Sequence, residues 1–398
     1  MEFQNGLGFP IHGFWEARGG IRGQSDPYIH DDPSIAESRL QLETERLLGP
    51  FVFTFMGDTY YDALMDEWEY DLRQLNATAS PLDFLDVKVG RQILTWGTGD
   101  LFFINDMFPK DWQSFFIGRD VEYLKAPSDA VKMSLFTDWF NVNFVYTPQF
   151  DPDDYIRGER ISYWNGGLGR RAGEDNPVRA RTPDDFFTDD EMAFRIYRMI
   201  AAYEVAVYGY QGFWKSPGGS HPAGYAIFPE LGVYGASVRG TVGPGIGNVE
   251  MGYYDSQDDA DGDHPMIKNS EMRFLVGYEQ EMAENFTVGG QYYVEWMQDY
   301  SDYKRVAPSN ARLRDEDRHV LTLRLTKLLM QQDLTLSLFT FYSPSDQDTY
   351  LRPKVNYKVN DNWTVEAGSN IFIGQNNHTF FGQFEKNTNV YGSVRYSF

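Results

Sequence analysis

The chain holds no cysteine and six histidines, His12, His30, His221, His264, His319 and His378. Thiolate metal sites and disulfides are therefore excluded. The histidines show no HExxH pair and no other metal-ligand spacing. His319 stands two residues from Asp317, and His378 lies in a stretch of loop composition. Either could serve a hydrolase built on a rim, but a lone polar histidine is far more often an exposed side chain. There is no GxSxG elbow, no Walker loop and no GxGxxG between strand and helix, so the chain reads as a non-enzyme. Asp259, Asp261 and Asp263 alternate within an acidic run, and carboxylates are hard-cation ligands. Gly262 is out of place for the calcium-loop pattern and no bidentate Glu follows at the required distance. A solvated acidic loop is the stronger reading, and neither metal nor cofactor is expected.

What remains is charge on one side of alternating segments. Leu351, Val355, Tyr357 and Val359 oppose Arg352, Lys354, Asn356 and Lys358. Leu321, Leu323 and Leu325 oppose Thr322, Arg324 and Thr326. Val390, Val394, Tyr396 and Phe398 oppose Asn389, Ser393, Arg395 and Ser397. Period-two patterning of this kind specifies β-strands. The polar faces carry both signs. Arg18, Arg22, Arg39, Arg73, Lys88, Lys132, Arg195, Arg324, Arg352, Lys354, Lys358 and Arg395 are basic. Glu16, Glu43, Glu45, Asp71, Asp86, Glu271, Glu279, Glu281, Glu295 and Glu366 are acidic. One continuous apolar face and one charged face, strand after strand, is the outward-lipid, inward-water alternation of a transmembrane β-barrel.

The count supports an all-β antiparallel barrel of about eighteen strands. They are expected near 9–22, 35–47, 51–63, 67–78, 83–96, 127–136, 139–149, 191–201, 204–214, 227–240, 245–255, 268–282, 285–299, 317–329, 333–344, 348–359, 362–374 and 386–398. No stretch approaches the ~20 apolar residues of a spanning helix. The 26 Tyr, 30 Phe and 9 Trp suit aromatic girdles at membrane interfaces. Very short links near 283–285, 330–332 and 360–362 alternate with longer ones near 300–315 and 376–384, so the termini are expected on the periplasmic side of a bacterial outer membrane. Met1-Glu2-Phe3-Gln4 lacks a charged n-region and an apolar h-region; if the protein is secreted, this is a mature or re-engineered form. The net charge of −23 argues against nucleic acid as a partner. The bilayer is the expected one.

Two long segments interrupt the meander of a single domain, 1–398. Residues 150–190 read as a long extracellular loop. Residues 97–126 carry Phe102, Phe103, Phe108, Trp112, Phe115, Phe116 and Tyr123. That is too aromatic to float in water, so the segment is expected to fold inward and constrict the pore. A cap over the rim is the alternative.

Residues 83–149 carry a resemblance. The motif Gly90-Arg91-Gln92 with Trp96-Gly97, then Pro109-Lys110-Asp111, Arg119-Asp120, Lys125-Ala126-Pro127 and Tyr146-Thr147-Pro148, resembles the alginate-export-type porins and their porin-like relatives. The resemblance implies a monomeric barrel of about eighteen strands with a loop-narrowed pore, some relatives being associated with exporters. Alginate itself does not carry over, because acidic loops repel a polyuronate. The final strand, ending on Phe398, resembles the signal read by the barrel-assembly machinery. Strict alternation from Val87 and Val89 puts Arg91 toward lipid, at a cost of ~2–4 kcal/mol at mid-membrane. A bulge at Gly90 is expected to return it to the lumen.

These readings converge on a passive channel, importing or exporting a hydrophilic solute or polymer. Arg91, Arg324, Arg352, Lys354, Lys358 and Arg395, with Glu295 and Glu366, would line it, and the basic members would favour anions. Inter-strand ion pairs that stiffen a wet wall are the competing account of the same residues. A sleeve for a partner protein, a cytochrome or an exporter component, is the second functional reading. A rim hydrolase is the third.

Overall fold

A computed structural model describes residues 10–308 and 311–398. The expected start of the first strand at residue 9, the Met1–Gln4 segment and two residues of the 300–315 loop lie outside them. Eighteen strands form one antiparallel sheet. The first seven are β1 His12–Arg22, β2 Pro33–Leu48, β3 Phe51–Asp62, β4 Glu67–Leu82, β5 Leu85–Ile93, β6 Pro127–Phe136 and β7 Asn141–Thr147. The middle six are β8 Glu191–Ile200, β9 Tyr203–Phe213, β10 Glu230–Val242, β11 Gly245–Ser256, β12 Glu271–Ala283 and β13 Phe286–Met297. The last five are β14 Asp317–Leu329, β15 Leu334–Ser343, β16 Asp348–Lys358, β17 Trp363–Gly374 and β18 Asn389–Ser397. Every expected strand is present, with ends shifted by a few residues.

The sheet closes because β18 returns to β1, with Phe14 opposite Ser397 and Trp15 opposite Tyr396. Closure leaves no strand edge unpaired, as a wall in hydrocarbon requires. One end of the barrel carries tight turns, at 49–50, 83–84, 201–202, 243–244 and 284–285. The opposite end carries the long segments 94–126, 148–190, 257–270 and 375–388. The last residue sits at the tight end, where the Gly13 amide donates to the Phe398 carbonyl.

Alternation sorts the side chains. Trp15, Phe53, Leu75, Val249, Val276, Leu321, Val355, Val365 and Val394 stand exposed on the outer surface. The neighbours between them, such as Glu16, Arg18, Glu250 and Glu366, are buried on the inside. The apolar core is therefore inside the barrel, where residues of the 94–126 segment pack on wall aromatics such as Tyr254, Tyr350 and Phe372. Among the described residues no helix is long and apolar enough to cross a membrane.

Arg91 corrects one expectation. The β4–β5 register runs without a slip through Leu75–Arg91, Asn76–Gly90 and Ala77–Val89. Gly90 has φ +116°, and a Cβ there would lie 2.4 Å from the Leu75 carbonyl oxygen. It is a close approach between strands, not a bulge. Arg91 thus stays on the outer face with Val89. It is held there by Asp129 opposite it on β6 at 2.9 Å and by the Leu72 carbonyl. The slip lies instead between β3 and β4 at Met56/Gly57. Arg91→Leu should therefore leave ion selectivity in a planar bilayer unchanged; a selectivity shift would place the guanidinium in the lumen.

Candidate functional site

A segment that crosses a barrel interior must find partners for its own amides and carbonyls, since it has no ladder of its own. The wall supplies them by sign. On β11, Glu250 is 1% exposed, and its carboxylate accepts five hydrogen bonds. Oε2 takes the amides of Thr98 (2.7 Å) and Gly99 (3.1 Å) and the Thr98 hydroxyl (2.9 Å). Oε1 takes the amide and side-chain amide of Asn105, at 3.0 and 2.9 Å. Gly97 permits this approach, because its φ is +82° and a Cβ would lie 2.9 Å from Oε1. Beside it, Gln291 exchanges hydrogen bonds with the Asp100 amide and carbonyl, at 2.7 and 2.8 Å.

Across the lumen the polarity reverses, and wall donors serve loop carbonyls. A short helix, α1 Trp112–Ile117, is capped by Asp111 and ends at Gly118. Asn370 and Asn389 donate to the Phe116 carbonyl, and Arg18 donates to that of Gly118 at 2.6 Å. Arg73 donates to the carbonyls of Glu122 and Lys125, each at 3.1 Å. Arg119 pairs with Glu37 of β2. The segment thus leaves β5, reaches β11–β14, and returns past β17, β18, β1, β2 and β4 to β6.

Its aromatic residues dock on the wall. Phe102 stacks on Tyr293 with ring centroids 4.4 Å apart, and Phe116 meets Tyr350, Phe372 and Phe384 at 5.5, 5.5 and 4.9 Å. Phe108, Phe115 and Phe116 are buried, whereas Phe102, Phe103 and Trp112 are half-buried and border the space above. That space is a vestibule of about 1090 Å³ toward the long-loop end, bordered also by Trp214, Lys268, Arg273, Glu295 and Arg314. A second cavity, of about 370 Å³, is lined by Thr98, Asp100, Arg239, Glu279 and Arg324.

The 150–190 segment is not a free surface loop. Its first part straps onto the inward segment: Trp112 donates its amide to the Asp154 carbonyl, and Asp154 donates its own to Lys110. Asp153 accepts from the Lys110 amide (2.8 Å), the Trp112 indole (3.0 Å) and Ser216 (2.7 Å). Burial, then the neighbouring Asp111 carboxylate, pushes Asp154 up to about 7; burial, with Glu191 nearby, pushes Asp151 up to about 6.

The expected selectivity residues are mostly neutralised. Arg324 is paired with Asp100 of the inward segment. Lys354 meets Glu366 at 3.0 Å, and Glu366 also receives Arg18 at 3.0 Å. Lys358 sits at the rim on Asp361 at 2.8 Å. Arg395 holds Glu16 at 3.0 Å and lies 3.5 Å from Glu122. Glu295 binds Arg314 at 2.7 Å. Arg352 alone of this set has no ion pair among the described residues, and it lies 3.9 Å over the Phe115 ring. Asp259 is buried and closes a turn by accepting the amides of Asp263 and His264, while Asp261 and Asp263 stand exposed. Among the described residues no three metal-ligating side chains converge. His319 is on the outer face between Asp317 and Tyr292, each at 2.7 Å, and His378 meets Arg312.

Glu250 was absent from the expected inward acids. Its place between Val249 and Met251 in an alternating strand was the available signal.

No protein-family model matches the chain, and no curated protein does. The resemblance to alginate-export-type porins therefore gains no support from them. Solved structures do share the fold. The crystal structure of OccAB3 from Acinetobacter baumannii is 10% identical over 98% of each chain, with a TM-score of 0.57. That of OccD3 (OpdP) from Pseudomonas aeruginosa is 9% identical over 98% of this chain and 91% of its own, with a TM-score of 0.55.

Two outcomes follow from the anchoring. Glu250→Gln removes acceptor capacity from a set of five donors, each costing about 1–3 kcal/mol when orphaned and buried. Cleavage of the 97–105 stretch in limited proteolysis should rise, with the strands still intact. For Asp154, a value above the ~3.9 of a free carboxyl means that the folded strap binds the proton more tightly. Its hold is greatest below about pH 4, weakens as pH rises to about 7, and levels off above. Asp154→Asn should slow strap cleavage relative to wild type strongly at pH 8 and much less at pH 5, using a protease active at both.

Proposed function

We propose that the chain is a passive outer-membrane channel for small hydrophilic solutes, with the 97–126 segment setting the size limit. The observation that carries this reading is the sidedness of a closed wall: apolar side chains outside, charged and hydrogen-bonding ones inside, around an interior with solvent-sized space. A soluble protein would not present an apolar belt of that extent to water, and a porous wall needs both faces. The tight turns and the C-terminus then belong on the periplasmic side, and the long segments outside. The docked segment divides the interior into the two cavities, so a small solute fits this reading better than a polymer.

The sleeve reading is weaker, because the interior is already occupied by the chain's own aromatic residues. A rim hydrolase has no support from His319, which faces outward between Asp317 and Tyr292.

Purified protein in a planar bilayer should give steady conductance steps. Deleting 102–116 should enlarge them. A barrel that stays sealed after that deletion overturns the proposal.

A further inference from the structure

Lys88 on β5 and Lys132 on β6 are directly opposite in the strand register. Both point inward, on the face of Asp86 and Ala130, and both are half-buried. Like charges directly opposite across strands are destabilising. Yet neither lysine forms an ion pair or hydrogen bond among the described residues. Asp86, the inward carboxylate two positions along β5, accepts from Ser80 at 2.6 Å, and Glu45 of β2 acts on Lys88 only from beyond ion-pair distance. Across from Lys132 on β7 is Val145, which offers no charge.

The contrast with most of the wall gives the pair its meaning; Arg352, also without an ion pair among the described residues, lies over the Phe115 ring instead. Arg18, Arg39, Arg195, Arg273, Arg324, Lys354 and Arg395 all have a carboxylate within 4.0 Å. In a chain of net charge −23, acidic partners are abundant. Two adjacent ammonium groups without one mark a place where the counter-charge comes from outside. Arg195, on β8 two rows along the same face, turns its guanidinium to Glu204 but leaves its buried Nε without a partner. The lysines lie three and four residues from the tight-turn ends of their strands, at Leu85 and Phe136, on the exit side of the docked segment.

We propose that Lys88 and Lys132 form a binding site for a multiply charged oxyanion, inorganic phosphate being the simplest case. A dianion between the two ammonium groups sets two attractions, each of a double charge, against their one repulsion. A singly charged ion gains less, so the site would rank anions by charge. It also supplies an anion preference that Arg324, Lys354 and Arg395, neutralised by carboxylates, do not. The site deepens the channel reading and rests on it for its role in transport, but binding itself does not require conduction.

Two measurements separate the claims. Phosphate added to wild-type channels in potassium chloride should reduce the current. The Lys88→Gln/Lys132→Gln double variant should lose that block and shift its reversal potential toward cation preference several-fold. Lys88→Arg/Lys132→Arg should keep both properties, and Lys327→Gln, on the outer face, should behave as wild type. Separately, the ³¹P resonance of phosphate should broaden with wild-type protein in detergent micelles and not with the double glutamine variant, folding being checked by heat-modifiable gel mobility. A folded double variant that keeps wild-type block and selectivity overturns the site. So does equal broadening with both proteins, or none with wild type. Absent conductance with normal phosphate broadening would instead overturn the channel and leave the site standing.

Discussion

The interior of this barrel is organised around a carboxylate that a peptide segment cannot do without. Glu250 gathers three backbone amides and two side-chain donors from residues 98–105 at one point of the wall. An ionised acceptor makes stronger hydrogen bonds than a neutral one, and a single carboxylate can satisfy amides that a turn leaves orphaned. Once that end is fixed, the aromatic residues that follow have one wall to meet. Phe102 is delivered to Tyr293, and the chain is aimed back toward Asn370, Asn389 and Arg18, which take the carbonyls after α1. Acid on one side and donors on the other hold a segment with little regular structure in a fixed course.

That course decides what the charged wall means. Asp100, Asp120 and Glu122 travel with the docked segment into the neighbourhood of Arg324 and Arg395. Barrel closure adds Glu16 to Arg395 from the other end of the chain, 379 residues away. A row that reads as basic along β14, β16 and β18 becomes a network of ion pairs, with Arg352 instead over the Phe115 ring. The strength of such pairs depends on shared burial, and Arg18, Glu16 and Glu366 form one that is nearly closed to solvent. Positive charge without a carboxylate at ion-pair distance among the described residues is left on the wall of β5 and β6, at Lys88 and Lys132.

Arg91 teaches the same lesson in the opposite direction. The expectation that lipid would expel a guanidinium called for a bulge at Gly90. The strand instead keeps its register, and β6 provides Asp129 on the same outer row. Near the end of a strand, an arginine on a barrel exterior costs only about 0–1 kcal/mol, and an adjacent carboxylate offsets that. The glycine answers a different need, the close passage of β5 against the Leu75 carbonyl.

The strand number, the closed antiparallel wall and the assignment of Leu321, Val355 or Val394 to the outside were all legible in the sequence. Side-chain alternation is a local property of the extended chain, and every strand repeats it independently. The inward course of 97–126 was legible as a tendency, because its aromatic content forbids a solvated loop. Its anchor was not, for Glu250 lies about 150 residues beyond the segment it holds and looks like any inward acid. The tertiary structure alone decided which charges are neutralised, which way Arg91 is served, and that the 150–190 segment straps over the docked one. Pairing depends on which distant residues closure brings within a few ångströms, and one chain read in order carries no measure of that distance.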